Sequence, residues 1–120
     1  MDPLHKHAQQ WIEHDPDPET RAAGQALLDA GDSGALSDHF GGHLSFGTAG
    51  MRGALGPGPR RMNRAVVQRV GAGLARYVLQ TVSEPTAVVG YDARQGSRVF
   101  AQDTARVLAA AGFSVVLFDE

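Results

Sequence analysis

The segment FGTAGMRG, residues 46–53, holds three glycines, one threonine and one arginine, and no acidic side chain. Gly47, Gly50 and Gly53 lack a Cβ and can turn successive backbone N–H groups toward one point. Thr48 adds a hydroxyl donor, and Arg52 adds a planar fork of N–H groups that matches a phosphate. A loop of this composition would hold an oxyanion. It would also serve as a tight turn carrying a surface arginine, and composition alone leaves both readings open, although the lack of Asp and Glu favours the anion. RRMN downstream adds Arg60 and Arg61, and such a charge pair is usually a solvated edge.

GYDARQGS, residues 90–97, is the second candidate. Asp92 and Arg94 sit where a strand pattern gives way to a helix pattern, the edge at which α/β proteins place their ligands. An aspartate there could be a phosphatase-type nucleophile, but that chemistry wants a second carboxylate two residues on, where this chain has Arg94. The plainer role for Asp92 is to cap the turn and pair with Arg94. Arg94 itself suits either the turn or an anion.

Other patterns carry less. Gly71 and Gly73 in GAGLARY lie inside a helix pattern and do not follow a strand, so a dinucleotide reading fails on context. His5, His7 and His14 lack a positioned carboxylate shell for a metal. His43 and Ser45 lack a third partner for a triad, and no residue presents itself as a nucleophile.

Totals bound the reading further. At 120 residues, 42% apolar and 20% charged with a formal charge of -2, the chain has the makeup of one globular domain or a piece of one, with no cationic excess to suggest nucleic acid. The absence of cysteine excludes disulfides and thiolate chemistry within these residues and agrees with a cytoplasmic setting. No apolar run approaches the roughly 20 residues that span a bilayer, and the N-terminus has no signal-peptide pattern.

The elements that must position these residues follow from periodicity and punctuation. Leu4, Ala8, Trp11 and Ile12 recur at helical spacing. A second helix is expected from about Pro18 to Ala30, capped by Asp17 and stopped by Gly31. Ser33 is expected to cap a short third helix that tucks Leu36 and Phe40 inward. Seven of the fifteen glycines fall between Gly41 and Gly58, which reads as loop with a short strand on either side. Asn63 should cap a helix ending near Gln80 with Ala65, Val66, Val70, Leu74, Tyr77 and Val78 on its apolar face. TAVVGYD and FSVVLFD read as strands, the second buried. Between them a helix capped by Ser97 and ended by Gly112 points Phe100, Thr104, Val107, Leu108 and Ala111 inward. Strand, helix, strand at this spacing gives parallel strands joined by a right-handed crossover, with Asp92 and Asp119 at the functional edge. The fold class is α/β: an N-terminal helical extension (1–40), then a βαβ unit in the part from 41 to 120.

LSFGTAGMRGALGPGPRRMN, the helix VVQRVGAGLARYV, and VVGYDARQGSRVFAQDTARVLAAAGFSVVLF, in that order, resemble the first domain of the α-D-phosphohexomutases, the phosphoglucomutase and phosphomannomutase superfamily. The likeness runs from about Trp11 to Phe118. The preamble WIEHDPDPETRAAGQALL is similar to the branch of bacterial phosphoglucomutases and phosphopentomutase-type enzymes, although His39 and His43 stand where that branch often has arginine.

The resemblance implies a three-layer α/β domain I within a four-domain cytoplasmic enzyme that moves a phosphoryl group between C1 and C6 of a hexose, or C1 and C5 of a pentose. It implies a phosphoserine donor, a bisphosphate intermediate, glucose 1,6-bisphosphate as activator, and Mg²⁺ held by a second-domain aspartate loop. The partners it implies are a small sugar phosphate and the remaining domains of the parent chain, with no nucleic acid or membrane. Arg52 matches the arginine that reaches the phosphoserine and the bisphosphate, with Thr48 and Gly50 shaping its loop. Arg94 matches an arginine of the family that supports a loop or makes a second electrostatic contact. The Thr-Ala-Ser-His-Asn-Pro type of phosphoserine loop does not occur in these 120 residues, and Ser45, Ser97 and Ser114 sit in no matching motif. The expectation is an N-terminal piece of a phosphoglucomutase-like enzyme, inactive alone, with apolar surface exposed beyond its last strand and a tendency to self-associate. The alternative is a non-catalytic sugar-phosphate-binding or regulatory domain.

Overall fold

A computed structural model describes residues 3–47, 50–51, 53–92 and 94–118. They form two compact units, Met1–Val66 and Val67–Glu120.

The first unit begins with α1 (Pro3–His14), α2 (Pro18–Ala30) and α3 (Ser33–Phe40). Asp17 caps α2 by accepting from the Glu19 N–H at 3.0 Å, and Pro18 opens the helix where no N–H is needed. Buried Asp15 accepts from the Asp17 N–H at 3.0 Å and from the Thr20 hydroxyl, fixing the α1–α2 corner. Gly31 ends α2 at φ +68°, and Asp32 caps α3 through the Gly34 and Ala35 N–H groups. The cap is therefore Asp32, with the expected Ser33 as the first helical residue. Ala8, Ile12, Leu28, Leu36 and Phe40 form the core, with Leu4, Trp11 and Leu27 packed on it. Trp11 meets Phe40 edge-on at 5.8 Å.

Two short strands follow, β1 (Phe46–Gly47) and β2 (Gly50–Met51), paired antiparallel with Phe46 opposite Met51 and Gly47 opposite Gly50. They lie inside the glycine-rich region and not on either side of it.

The helix α4 (Arg64–Val78) runs across the boundary between the units. Its buried positions are Val67, Gly71 and Ala75, whereas Leu74 and Tyr77 of the expected apolar face are 50% and 71% exposed. Close packing explains the shift. A Cβ on Gly71 would stand in ordinary van der Waals contact with Val107 at 3.4 Å, so the Gly71 face of α4 is the one that packs against α5.

The second unit carries β3 (Thr86–Val89), α5 (Ser97–Ala110) and β4 (Ser114–Leu117). As expected, β3 and β4 are parallel, in register from Thr86 opposite Ser114 to Val89 opposite Leu117. Ala75, Leu108 and Phe113 form its core, with Val78, Ala87, Val89 and Val115 against them. On α5 the buried residues are Ala101, Asp103 and Leu108, and Ala111, expected inward, is exposed. Buried Asp103 has the Arg106 guanidinium 3.9 Å away. Gly112 stops the helix at φ +105°. Alternation in β4 leaves Val116 and Phe118 exposed beside Val88 of β3, so the strand read as buried is covered on one face only.

Candidate phosphate-binding loops

The glycine-rich loop enters through β1 and returns through β2, where Gly50 stands opposite Gly47. Thr48 and Arg52 lie outside the described residues, as do Ala93 and Asp119. The leg that follows, residues 53–63, is closely tied. The Met62 N–H donates to the Ala54 carbonyl at 2.8 Å, and the Gly56 N–H donates to the Met62 carbonyl at 3.2 Å, so Leu55 and Met62 pair as an isolated bridge. Asn63, 2% exposed, sits at the centre. Its Nδ2 donates to the carbonyls of Gly56 at 2.9 Å and Gly58 at 2.8 Å, and its Oδ1 accepts from the Val66 N–H at 2.9 Å. The expected N-cap of α4 is thus also a clamp on the leg, with both amide protons used.

The other side of the leg is fastened to α3. His39 Nδ1 donates to the Pro57 carbonyl at 2.9 Å. The His39 carbonyl accepts from the Arg60 N–H at 3.2 Å. Gly58 has φ +102° there, and a Cβ on it would stand 2.2 Å from the His39 carbonyl oxygen, so only glycine fits. Arg60 Nη1 donates to the Ser37 carbonyl at 3.2 Å, and Arg61 Nη1 to the Asp38 carbonyl at 2.8 Å, while Arg61 Nη2 pairs with the Asp38 carboxylate. The pair read as a solvated edge therefore satisfies carbonyls at the C-terminal end of α3, where cations are favoured by the helix dipole. These bonds join residues 23 apart in sequence, and no local pattern announces them.

At the end of β3, Asp92 Oδ1 accepts from the Arg94 N–H at 3.0 Å and from the Ser97 hydroxyl at 2.9 Å, and Oδ2 lies 3.2 Å from Arg94 Nε. The Arg94 backbone N–H, then the Ser97 hydroxyl, hold the Asp92 carboxyl below the usual carboxylate range. Asp92 is thus the turn cap read from the sequence. Ser97, expected to cap α5, donates to Asp92 instead, and Gly96 at φ +85° occupies the N-cap position with no side-chain bond. The Arg94 side chain is 79% exposed.

Of the remaining candidates, His14 Nδ1 bonds the Gln10 carbonyl within α1 at 2.9 Å. Among the described residues no group of three or more His, Asp or Glu could hold a metal ion, and no helix is long and apolar enough to cross a membrane.

A parallel strand–helix–strand unit with its polar turn at the strand's carboxyl end is the α/β arrangement that places sites at strand ends. Residues 43–120 match the family model described as phosphoglucomutase/phosphomannomutase, alpha/beta/alpha domain I. A probable phosphoribomutase of Schizosaccharomyces pombe is 37% identical over 123 residues, covering 99% of this chain and 21% of that protein. A phosphoglucomutase of Staphylococcus saprophyticus is 42% identical over 80 residues, 67% of this chain and 14% of its own length. One from Staphylococcus aureus is 45% identical over 76 residues, 63% of this chain and 14% of its own. No solved structure gives a significant match. The chain belongs to the phosphoglucomutase/phosphomannomutase family, as its N-terminal domain I. It spans 14–21% of the length of these relatives.

Proposed function

We propose that the chain supplies the first-domain phosphate contacts of a phosphosugar mutase of the phosphoglucomutase type, moving a phosphoryl group between C1 and C6 of a hexose phosphate. In this reading residues 1–40 are a helical extension and residues 41–120 an incomplete domain I. The observation that carries it is the acid-free glycine loop with Arg52, in a chain of this family, followed at once by a leg whose polar groups are tied down. Charge stabilisation in phosphoryl transfer depends on preorganised donors, and the leg that follows the loop is anchored. Arg52 grips the phosphoryl group in transit, Thr48 and Gly50 shape the loop around it, and Arg94 either supports its own loop or makes a second electrostatic contact.

The phosphoserine and the remaining domains belong to other parts of a parent enzyme, glucose 1,6-bisphosphate is its activator, and its setting is cytoplasmic. Magnesium, when bound in the parent, neutralises charge on the transferring phosphate. The described residues of this chain do not fit that ion, since they gather no group of three ligands, and its ligands are assigned elsewhere in the parent.

The experiment is a coupled mutase assay on the 120-residue chain and on the full open reading frame of its gene, with glucose 1-phosphate and ribose 1-phosphate side by side. Turnover of glucose 1-phosphate by the full reading frame alone is the expected result. Activity of the purified 120-residue chain above a blank free of host mutase overturns the assignment of the phosphoserine to another part. A full reading frame that binds sugar phosphate without turnover favours the non-catalytic domain. A preference for ribose 1-phosphate moves the specificity to the pentose branch, which the likeness to the S. pombe protein over 99% of the chain supports.

A further inference from the structure

The 92–97 turn engages Arg94 twice. The Arg94 backbone N–H donates to Asp92 Oδ1 at 3.0 Å, and Arg94 Nε lies 3.2 Å from Asp92 Oδ2. The first contact closes the turn, and any residue other than proline supplies it. The second requires a guanidinium and is surplus to the closure, because Oδ1 already holds the Arg94 N–H and the Ser97 hydroxyl, the latter at 2.9 Å. As an ion pair between side chains 79% and 57% exposed, it contributes little stability.

Its consequence is one of direction. With Oδ1 fastened to the backbone and to the first residue of α5, Oδ2 takes the Nε edge of the guanidinium. Both Nη groups are left without a protein partner among the described residues, at the carboxyl end of β3, the edge at which α/β units place ligands. Two parallel N–H donors of this kind match two oxygens of a phosphate. The Asp92 carboxyl, held below the usual carboxylate range, keeps its charge for Nε at neutral pH.

We infer that Asp92 is a positioning residue for Arg94: by holding Nε it presents the two Nη groups to a phosphate of the sugar substrate. The inference rests on the reading of Arg94 as an electrostatic contact and not as a loop support. It assigns Asp92 no substrate contact, since its own charge repels a phosphate.

Asp92→Asn separates turn-capping from positioning. Asparagine keeps one oxygen for the Arg94 N–H and the Ser97 hydroxyl, and puts an NH₂ donor where Oδ2 met Nε. The two roles predict opposite signs. If Asp92 only caps the turn, the substitution removes a negative charge near an anionic substrate, and KM for glucose 1-phosphate stays level or falls. If Asp92 orients Arg94, KM rises about threefold to tenfold in spite of the lost repulsion, with kcat changed less. In the full-length enzyme, kcat and KM are measured for wild type, Asp92→Asn, Arg94→Ala and the double variant, with thermal melting of each. The rise in KM is expected in the wild-type background and should vanish or reverse once residue 94 is alanine. A KM unchanged or lowered by Asp92→Asn, or raised by the same factor in both backgrounds, overturns the inference while leaving Arg94 as a contact. If Arg94→Ala alone leaves both constants at wild-type values, the reading of Arg94 as a contact falls and the inference falls with it, so that single variant tells the two failures apart. Should Asp92→Asn not fold, Asp92→Ser takes its place, with one oxygen for the turn and none for Nε, and the same KM outcomes decide.

Discussion

Two arginine-bearing segments of this chain are held in opposite ways. The 53–63 leg is knitted by donors that are themselves buried or half-buried: Asn63, His39, and an Arg61 side chain only 16% exposed. The 92–97 turn closes on itself through Asp92, with the Arg94 side chain 79% exposed to water. Both turns are closed by hydrogen bonds, but water reaches every bond in the second, whereas in the first the Asn63 and His39 bonds are buried or part-buried and only those of Arg60 and Arg61 to α3 are exposed. A polar tie shielded from solvent therefore resists opening more, and leaves a larger penalty when one partner is removed. The first segment is held by ties that reach α3, and the second by bonds within its own turn.

The largest test of that contrast makes the same substitution at Arg52, just ahead of the first segment, and within each segment of the full-length enzyme. If Arg52 grips a phosphoryl group with two parallel N–H donors, lysine keeps the charge and loses the planar match. A lost charged contact in the transition state costs about 2–4 kcal/mol, or roughly 30-fold to 1000-fold in kcat/KM. Arg94→Lys keeps the charge at an exposed position and should cost less than about tenfold. Arg60→Lys, altering a side chain whose guanidinium serves α3, should stay within about threefold. Melting temperatures should be unchanged for Arg52→Lys. An Arg52→Lys enzyme within about threefold of wild type would mean that the glycine loop is a turn and nothing more.

A stability comparison between the two glycines comes next in size. At Gly58 a methyl group meets a backbone carbonyl at 2.2 Å and the backbone has φ +102°, so Gly58→Ala combines a clash with strain. Backbone strain of this kind costs about 1–3 kcal/mol before the clash is added. Gly96→Ala imposes strain alone at φ +85° and should cost about 1 kcal/mol. Urea unfolding of the 120-residue chain, read by Trp11 fluorescence for the first unit and by circular dichroism for both, compares them. Equal losses would show that the leg relaxes as freely as the turn.

What could be read from sequence divides along the range of the interactions. Helix α2 emerged with both ends correct because Asp17, Pro18 and Gly31 act within a few residues of their own backbone. The parallel β3–α5–β4 unit was legible for the same reason, since strand alternation and Gly112 are local signals. The apolar face of α4 was misread, because Leu74 and Tyr77 outweigh Gly71 and Ala75 in hydrophobicity while it is the face with Gly71, beside Val107, that is buried. Likewise the anion-suited composition of residues 46–53 was visible at once, and the fastening of the adjoining leg was not. Nothing near Arg61 in the chain says that Asp38 is its partner.

The smallest effect belongs to the exposed turn and tests what holds it. The Asp92 carboxyl lies below its ordinary value of about 3.9, chiefly through the Arg94 backbone N–H and next through the Ser97 hydroxyl. A depressed carboxylate contributes stability that is present above the unfolded value and lost as pH falls through the lower folded one. The window is therefore acidic, below about pH 4, and neutral-pH stability should not change slope on account of this group. Ser97→Ala removes one charge-stabilising bond and should move the Asp92 titration upward toward the ordinary value. Arg94→Ala retains the backbone N–H that dominates and should leave most of the depression in place. Carbon-detected NMR titration of the Asp92 carboxyl in the three proteins separates these contributions. If Arg94→Ala restores the ordinary value while Ser97→Ala does nothing, the ion pair and not the hydrogen-bonded turn sets the charge of Asp92, and the second segment is organised by its arginine after all.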